Sequence, residues 1–137
     1  MLIAENSKSG YKIVISERAS PSVRHSAIEF QNILKQMSGA LLPIDNDRSK
    51  MTHSEIIIGD NQHLSQLNTR IHWNELGVEG FTIRTVGKVL VIAGDALRGA
   101  MYGVNTFLEN YLGCRWYSSN FRKIPRNSRV EIGEIDD

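Results

Sequence analysis

The glycines at positions 94 and 99 have the spacing of a phosphate-binding loop and lie between a predicted strand and a predicted helix. A working loop of this kind continues with Lys and then Ser or Thr, which supply the charge for the phosphate and a ligand for magnesium. Ala100 and Met101 follow here instead. The dinucleotide-binding pattern G-x-G-x-x-G is absent as well. The sequence therefore predicts no nucleotide site.

The histidines and the single cysteine do not form a metal-binding pattern. The histidines are His25, His53, His63 and His72. No two of them are four residues apart, as a pair of ligands on one helix face would be. We expect ordinary surface histidines, and neither a metal ion nor a cofactor. Cys114 adjoins apolar residues of a predicted strand, which favours a buried structural thiol over a nucleophile.

Pairs of carboxylates can perform acid–base chemistry, and several acidic residues lie in predicted loops. Hydrolysis of a glycoside, for example, needs two carboxylates about 5–10 Å apart across the sugar. The loop residues available are Asp45 with Asp47, Glu75 with Glu79, and Asp60. No pocket-forming pattern surrounds them, and acidic loop residues are usually solvated. The sequence therefore predicts no catalytic residue.

Aromatic side chains offer flat faces on which a sugar ring could stack. The candidates are Trp73, Tyr102, Trp116, Tyr117 and Phe121. If residues 114–117 form a strand, Trp116 and Tyr117 point to opposite faces, so at most one of them lies in the core. Packing in the core or at a domain contact is the usual role of such residues. We retain Trp116 as a candidate contact with a ligand or a second domain.

Composition limits the class of protein. The chain has 137 residues, 41% of them hydrophobic and 23% charged, as is ordinary for one globular domain. A net charge of +1 gives no reason to expect nucleic acid or an anionic membrane as a partner. No apolar run is long enough to cross a bilayer, and the first ten residues lack the features of a signal peptide. The compartment stays open.

Hydrophobic patterning predicts two long helices and several short strands. One helix begins at Ser20-Pro21 and ends at Gly39, and the other has Asp95 as its N-cap and ends at Gly113. Strands are expected at 11–15, 41–44, 55–59, 80–86, 89–93, 114–117 and 129–132. Pro43 suits an edge strand, and Gly87-Lys88 suits a type II′ hairpin turn. Residues 60–77 should form a partly helical connection.

The irregular order of these elements argues against a doubly wound sheet. It favours a two-layer α/β (α+β) sandwich, in which a mixed β-sheet carries both long helices on one face.

The second long helix carries two unusual features beside its apolar face. Gly99 and Gly103 lie one turn apart, and each should cost about 1 kcal/mol relative to alanine, so something must pack closely there. A polar and aromatic stripe runs beside them at helical spacing. It consists of Arg98, Tyr102, Asn105 and Glu109. The stripe is either a solvated face or a docking surface for another domain. In the second case the two glycines would allow that domain to approach the helix closely. The glycines could equally pack against the domain's own sheet.

Three runs in this region resemble a known family. They are EGFTIR at 79–84, VLVIAG at 89–94 and RGAMYGVNTFLENYLGCRWY at 98–117. They are similar to the N-terminal non-catalytic α/β domain of glycoside hydrolases such as alpha-glucuronidases, β-hexosaminidases and related bacterial proteins. The resemblance extends from the first predicted strand to about Pro125. Its most specific part is Arg-Gly-x-x-Tyr-Gly followed by LGCRWY.

The resemblance implies a role and a partner. In that group a catalytic barrel follows this domain and holds the catalytic carboxylates, so no catalytic residue is carried over. The two long helices would lie between the sheet and the barrel. We expect residues 1–137 to form a single accessory domain, with 133–137 as a chain end or a linker to the barrel. The resemblance alone favours an extracytoplasmic (periplasmic or secreted) location. The alternative is an independent sugar-binding or protein-interaction module, and an enzyme in its own right is the weakest hypothesis.

Overall fold

The computed structural model describes residues 1–118 and 121–136, except for the side chains of residues 116–118, 121 and 122. Within these residues the elements, in chain order, are β1 Leu2–Glu5, β2 Lys12–Ile15, α1 Pro21–Ser38, β3 Ile44–Asn46, β4 Glu55–Ile58, α2 Gln62–Gln66, α3 Trp73–Leu76, β5 Phe81–Val86, β6 Val89–Gly94, α4 Gly99–Leu112, β7 Arg115–Ser118, β8 Phe121–Lys123 and β9 Arg129–Glu131. None of the helices in this part of the chain is long and apolar enough to cross a bilayer.

A five-stranded mixed sheet forms the centre of the domain. Its strand order is β3-β2-β4-β6-β5, in which only the pairing of β5 with β6 is antiparallel. The hairpin between these two strands closes at the pair Val86 and Val89. Gly87 has a φ of +61°, and Lys88 is not among the residues with positive φ, so the turn is of type II′. The predicted mixed sheet and hairpin are confirmed.

The sheet is covered on both faces, and both long helices lie on the same one. Ile56 and Ile58 of β4 point into the larger core beneath α1 and α4, whereas Ile57 points into a smaller cluster on the opposite face. The rings of Phe30 in α1 and Phe107 in α4 stack at a centroid distance of 5.8 Å. All residues of β4 are buried, as its unbroken apolar run predicts. The two-layer arrangement of long helices on a mixed sheet is confirmed.

The first long helix begins and ends as its sequence predicts. Ser20 is extended, and its hydroxyl accepts a hydrogen bond from the amide of Val23, while Pro21 occupies the first helical position. Gly39 ends the helix in a left-handed conformation, with a φ of +79°.

The start of α4 was predicted incorrectly. The helix begins at Gly99 with Arg98 as its N-cap, and not at Asp95. Asp95 instead accepts a hydrogen bond from the amide of Leu97 at 2.7 Å, which closes a tight turn before the helix. That turn leaves Leu97 66% exposed and removes it from the apolar helix face.

Two short antiparallel pairs complete the described part of the fold. β1 pairs with β9, and β7 pairs with β8, each outside the main sheet. The sequence did not indicate β1, because a four-residue strand with two buried positions carries little periodicity. The strand predicted at 41–44 is displaced to Ile44–Asn46, although it does form an edge of the main sheet.

Candidate functional site

The polar and aromatic stripe predicted on the second long helix lies along the side of α4 that faces away from the core. We call it the α4 stripe, and it consists of Arg98, Tyr102, Asn105 and Glu109. Tyr102 and Asn105 are partly exposed, and Arg98 and Glu109 are exposed. Arg98 Nη1 lies 3.3 Å from Glu79 Oε1, with side chains 53% and 63% exposed. An ion pair this exposed contributes little to stability. The four residues therefore form a continuous, accessible strip on one helix.

Gly99 and Gly103 face the domain's own sheet. A Cβ at Gly103 would lie 2.7 Å from Ile92 Cγ2 and 3.2 Å from Phe81 Cβ. A Cβ at Gly99 would collide with the carbonyl oxygen of Gly80. The close packing at both glycines is thus internal to the domain, because α4 lies directly on β5 and β6. These glycines therefore give no support to the hypothesis that the stripe is a docking surface for a second domain.

The other residues considered in the sequence are dispersed. Trp116 belongs to β7, and its side chain lies outside the described residues, so its contact role stays a prediction. Cys114 is fully buried, as predicted, and burial raises the pKa of its thiol although Arg115 acts in the opposite direction. Within the described ranges, no group of three or more His, Cys, Asp or Glu side chains is placed to hold a metal ion.

One buried polar cluster was missed. His63 was expected at the surface, but it is fully buried, with Nδ1 2.6 Å from Glu55 Oε1 and Nε2 2.7 Å from the carbonyl oxygen of Ser49. A carbonyl oxygen can only accept, so Nε2 carries a hydrogen. The available signal was Glu55 at the start of an otherwise apolar, buried strand, since a buried carboxylate requires a partner.

The surrounding polar contacts join the loop at 47–54, between β3 and β4, to the sheet. Thr52 donates its amide to Glu55 Oε2 at 2.8 Å, and Lys12 Nζ lies 3.8 Å from the same oxygen. Lys12 also contacts Asp45 at 3.4 Å. The distance between His63 and Glu55 would suit an acid–base dyad, but neither side chain is exposed, so no substrate can reach the pair. The arrangement is structural.

Asp47 fastens the same loop to two other elements. Its carboxylate accepts the amides of Glu17 at 2.8 Å and Gln62 at 2.9 Å. Burial by itself would raise the pKa of Asp47, but these hydrogen bonds outweigh it and hold the pKa below its usual range. The prediction that the Asp47 carboxylate is solvated was therefore wrong.

A cavity opens at the carboxyl edge of the parallel strands. β2, β4 and β6 end around a space of about 270 Å³ beside the N-terminus of α1. We call it the carboxyl-edge cavity, and its polar and aromatic lining consists of Ser16, Arg18, Ser20, Asp60, Trp73 and Asp95. Open α/β sheets commonly bind ligands at this edge. Sequence patterning could not place these residues together, because they come from four separate segments of the chain.

Comparison of the sequence with known protein families identifies the class of this chain. Residues 3–107 match the family model described as Glycosyl hydrolase family 67 N-terminus. The match covers well over half of the chain, which therefore belongs to that family. No curated protein matches the sequence significantly.

Solved structures contain similar folds within much longer chains. One is BtGH115A, described as a family GH115 4-O-methyl-alpha-glucuronidase with specificity for decorated arabinogalactans, at a TM-score of 0.67 and 17% identity. The similarity covers 100% of this chain and 18% of that chain. Another is CpGH84D, at a TM-score of 0.47 and 13% identity, covering 76% of this chain and 17% of that one. At 17% identity, the likeness to BtGH115A shows the fold alone.

Proposed function

We propose that residues 1–137 are a single non-catalytic accessory domain that supports a catalytic barrel in the same polypeptide, with 133–137 leading towards that barrel. The observation that carries this proposal is membership of a family of N-terminal glycoside hydrolase domains. A matching fold makes up 18% of the much longer chain of BtGH115A, so a domain of this fold does occur within a larger polypeptide.

The partners of the acidic residues agree with a supporting role. Asp47 is held by two backbone amides, Asp45 by Lys12, and Glu79 by Arg98. These three carboxylates hold the fold together or lie at its surface. The proposal therefore assigns the chemistry to the barrel.

We assign the docking surface to the outer side of the helix layer, centred on the α4 stripe. Arginine and tyrosine, as at Arg98 and Tyr102, are favoured at protein interfaces because they combine large area with directed hydrogen bonds. The same layer exposes apolar surface, since Ile28 of α1 is 48% exposed and Tyr111 of α4 is 36% exposed. A barrel packed against this layer would cover both.

The first test is to read the coding sequence beyond Asp137, because a gene without a downstream catalytic domain would overturn the proposal. If a barrel is encoded, the two parts are produced separately and their association is measured by calorimetry. The double substitution Arg98→Ala and Tyr102→Ala should weaken association by about tenfold or more. Gln66→Ala is the matched control, because Gln66 is exposed on α2 at the opposite face of the sheet. Equal affinity for the double variant and the control would refute the assigned surface.

A further inference from the structure

The carboxyl-edge cavity is lined by a partly exposed tryptophan and by charged groups that do not pair with one another. Trp73 is 37% exposed and belongs to neither hydrophobic cluster of the domain. It lies on α3, where no residue is buried. Core packing therefore does not account for a tryptophan at this position, whereas a ligand in the cavity would cover its ring.

The charged residues of the cavity retain capacity for hydrogen bonds. Within the described residues, Arg18 has no side-chain hydrogen bond and no ion pair, although Asp60 and Asp95 line the same cavity. Partial burial raises the pKa of the Asp60 carboxyl group. A hydrogen bond from the backbone of Asn61 acts in the opposite direction but is the smaller effect. Asp95 uses one oxygen to accept from Leu97. Because Arg18 does not pair with Asp60 or Asp95, each of these side chains can form a hydrogen bond with a hydroxyl group of a ligand.

We propose that the carboxyl-edge cavity binds one pyranose unit of a neutral saccharide. A sugar ring has an apolar C–H face that suits the indole of Trp73, and its hydroxyls can donate to carboxylates and accept from a guanidinium. The volume of about 270 Å³ is close to the lower end of ligand pockets, roughly 300–1,000 Å³, so it suits a single ring and not an extended chain.

The charge of the cavity favours a neutral sugar over a sugar acid. Asp60 and Asp95 outnumber Arg18, so a ligand carboxylate would be repelled. Nucleotides are disfavoured for the same reason, and because the Gly94 to Gly99 segment lacks the lysine of a phosphate loop. The inference concerns a different surface from the α4 stripe and does not depend on a following barrel.

The test uses the purified chain and neutral pyranoses, namely glucose, galactose and xylose, with glucuronate as the charged comparison. Binding is followed by two-dimensional amide NMR, so that the affected positions are mapped as well as the affinity. A single ring with few anchoring groups should bind with a Kd of about 1 mM. The largest shifts are expected at Gly59 and Gly94, whose backbones line the cavity, and at the Trp73 indole.

Three variants complete the test. Trp73→Ala and Arg18→Ala should each weaken binding by about tenfold, while melting temperatures confirm that both remain folded. Leu97→Ala is the matched control, since Leu97 is exposed in the adjacent turn but does not line the cavity. No binding of any neutral pyranose at 50-fold excess over the expected Kd, about 50 mM, would overturn the proposal. Shifts confined to another surface, unchanged affinity in Trp73→Ala, or binding of glucuronate alone would overturn it too.

Discussion

His63 and Glu55 hold a hydrogen between them across 2.6 Å, at a position where neither side chain reaches solvent. The imidazole is fixed at its other nitrogen by the carbonyl of Ser49, and the second carboxylate oxygen is fixed by the amide of Thr52. This pair joins β4, α2 and the loop between β3 and β4, so an interaction that resembles catalytic chemistry serves to position a loop.

Removing the imidazole should be severely destabilising. His63→Ala leaves Glu55 buried without its partner, and breaking a buried pair in this way typically costs about 3–5 kcal/mol. Urea unfolding of the variant and the parent chain measures the loss. His53→Ala is the control, because His53 is exposed and should change stability by less than about 0.5 kcal/mol. A loss below about 1 kcal/mol for His63→Ala would contradict the structural role.

Acid should weaken the domain through Asp47. The pKa of its carboxyl group is lower in the folded state than the unfolded value of about 3.9, so its contribution is complete above that pH and is lost as the pH falls through the folded pKa. Asp47→Asn should lower the free energy of unfolding by about 1–3 kcal/mol at pH 7. It should also make that free energy less dependent on pH in the acid range.

The comparison for Asp47 is Asp60, which titrates with the opposite sign. The pKa of Asp60 is raised in the folded state, so its ionisation above the unfolded pKa opposes folding. Asp60→Asn should therefore lose no stability at pH 7. Thermal melts between pH 2.5 and pH 7 separate the two variants, and parallel curves for Asp47→Asn and the parent chain would show that the assignment is wrong.

Alanine at the helix glycines should destabilise the isolated domain. At Gly103 the added Cβ would meet Ile92 at 2.7 Å, and overpacking of about 1–3 kcal/mol should exceed the gain in helix propensity of about 1 kcal/mol. Gly99→Ala should cost more, because the obstacle there is the backbone of Gly80, which cannot rotate away. Gly133→Ala is a matched control with open space around it. A stabilised Gly103→Ala variant would contradict internal packing.

The isolated chain should hydrolyse no glycoside. Asp60 and Asp95 share a cavity, but its volume suits one ring, whereas cleavage needs room between the two carboxylates for both the sugar and its leaving group. Assays with aryl glycosides and aryl glucuronides measure this directly. Turnover that disappears in Asp60→Asn or Asp95→Asn, but persists in Asp47→Asn, would show that this chain carries an active site.

Local patterning was sufficient for three of the four caps of the two long helices, for the hairpin and for the buried strand. Ser20-Pro21, Gly39 and Gly113 act through hydrogen bonds and backbone angles within a few residues, so their effect can be predicted without the rest of the chain. The α4 start was missed for a related reason. Asp95 does bond to a nearby amide, but the same short-range bond can close a turn as readily as cap a helix.

The sequence by itself determined the class of fold, the family resemblance and the spacing of the α4 stripe, because these depend on local periodicity and on contiguous motifs. Only the tertiary structure decided which way the glycines face, since the partner of Gly103 is Ile92 on another element. It also decided that His63 is buried and that Trp73, Arg18 and Asp60 line one cavity. These relationships join residues far apart in the chain, and a parallel sheet brings its carboxyl ends together only after all of its strands have paired.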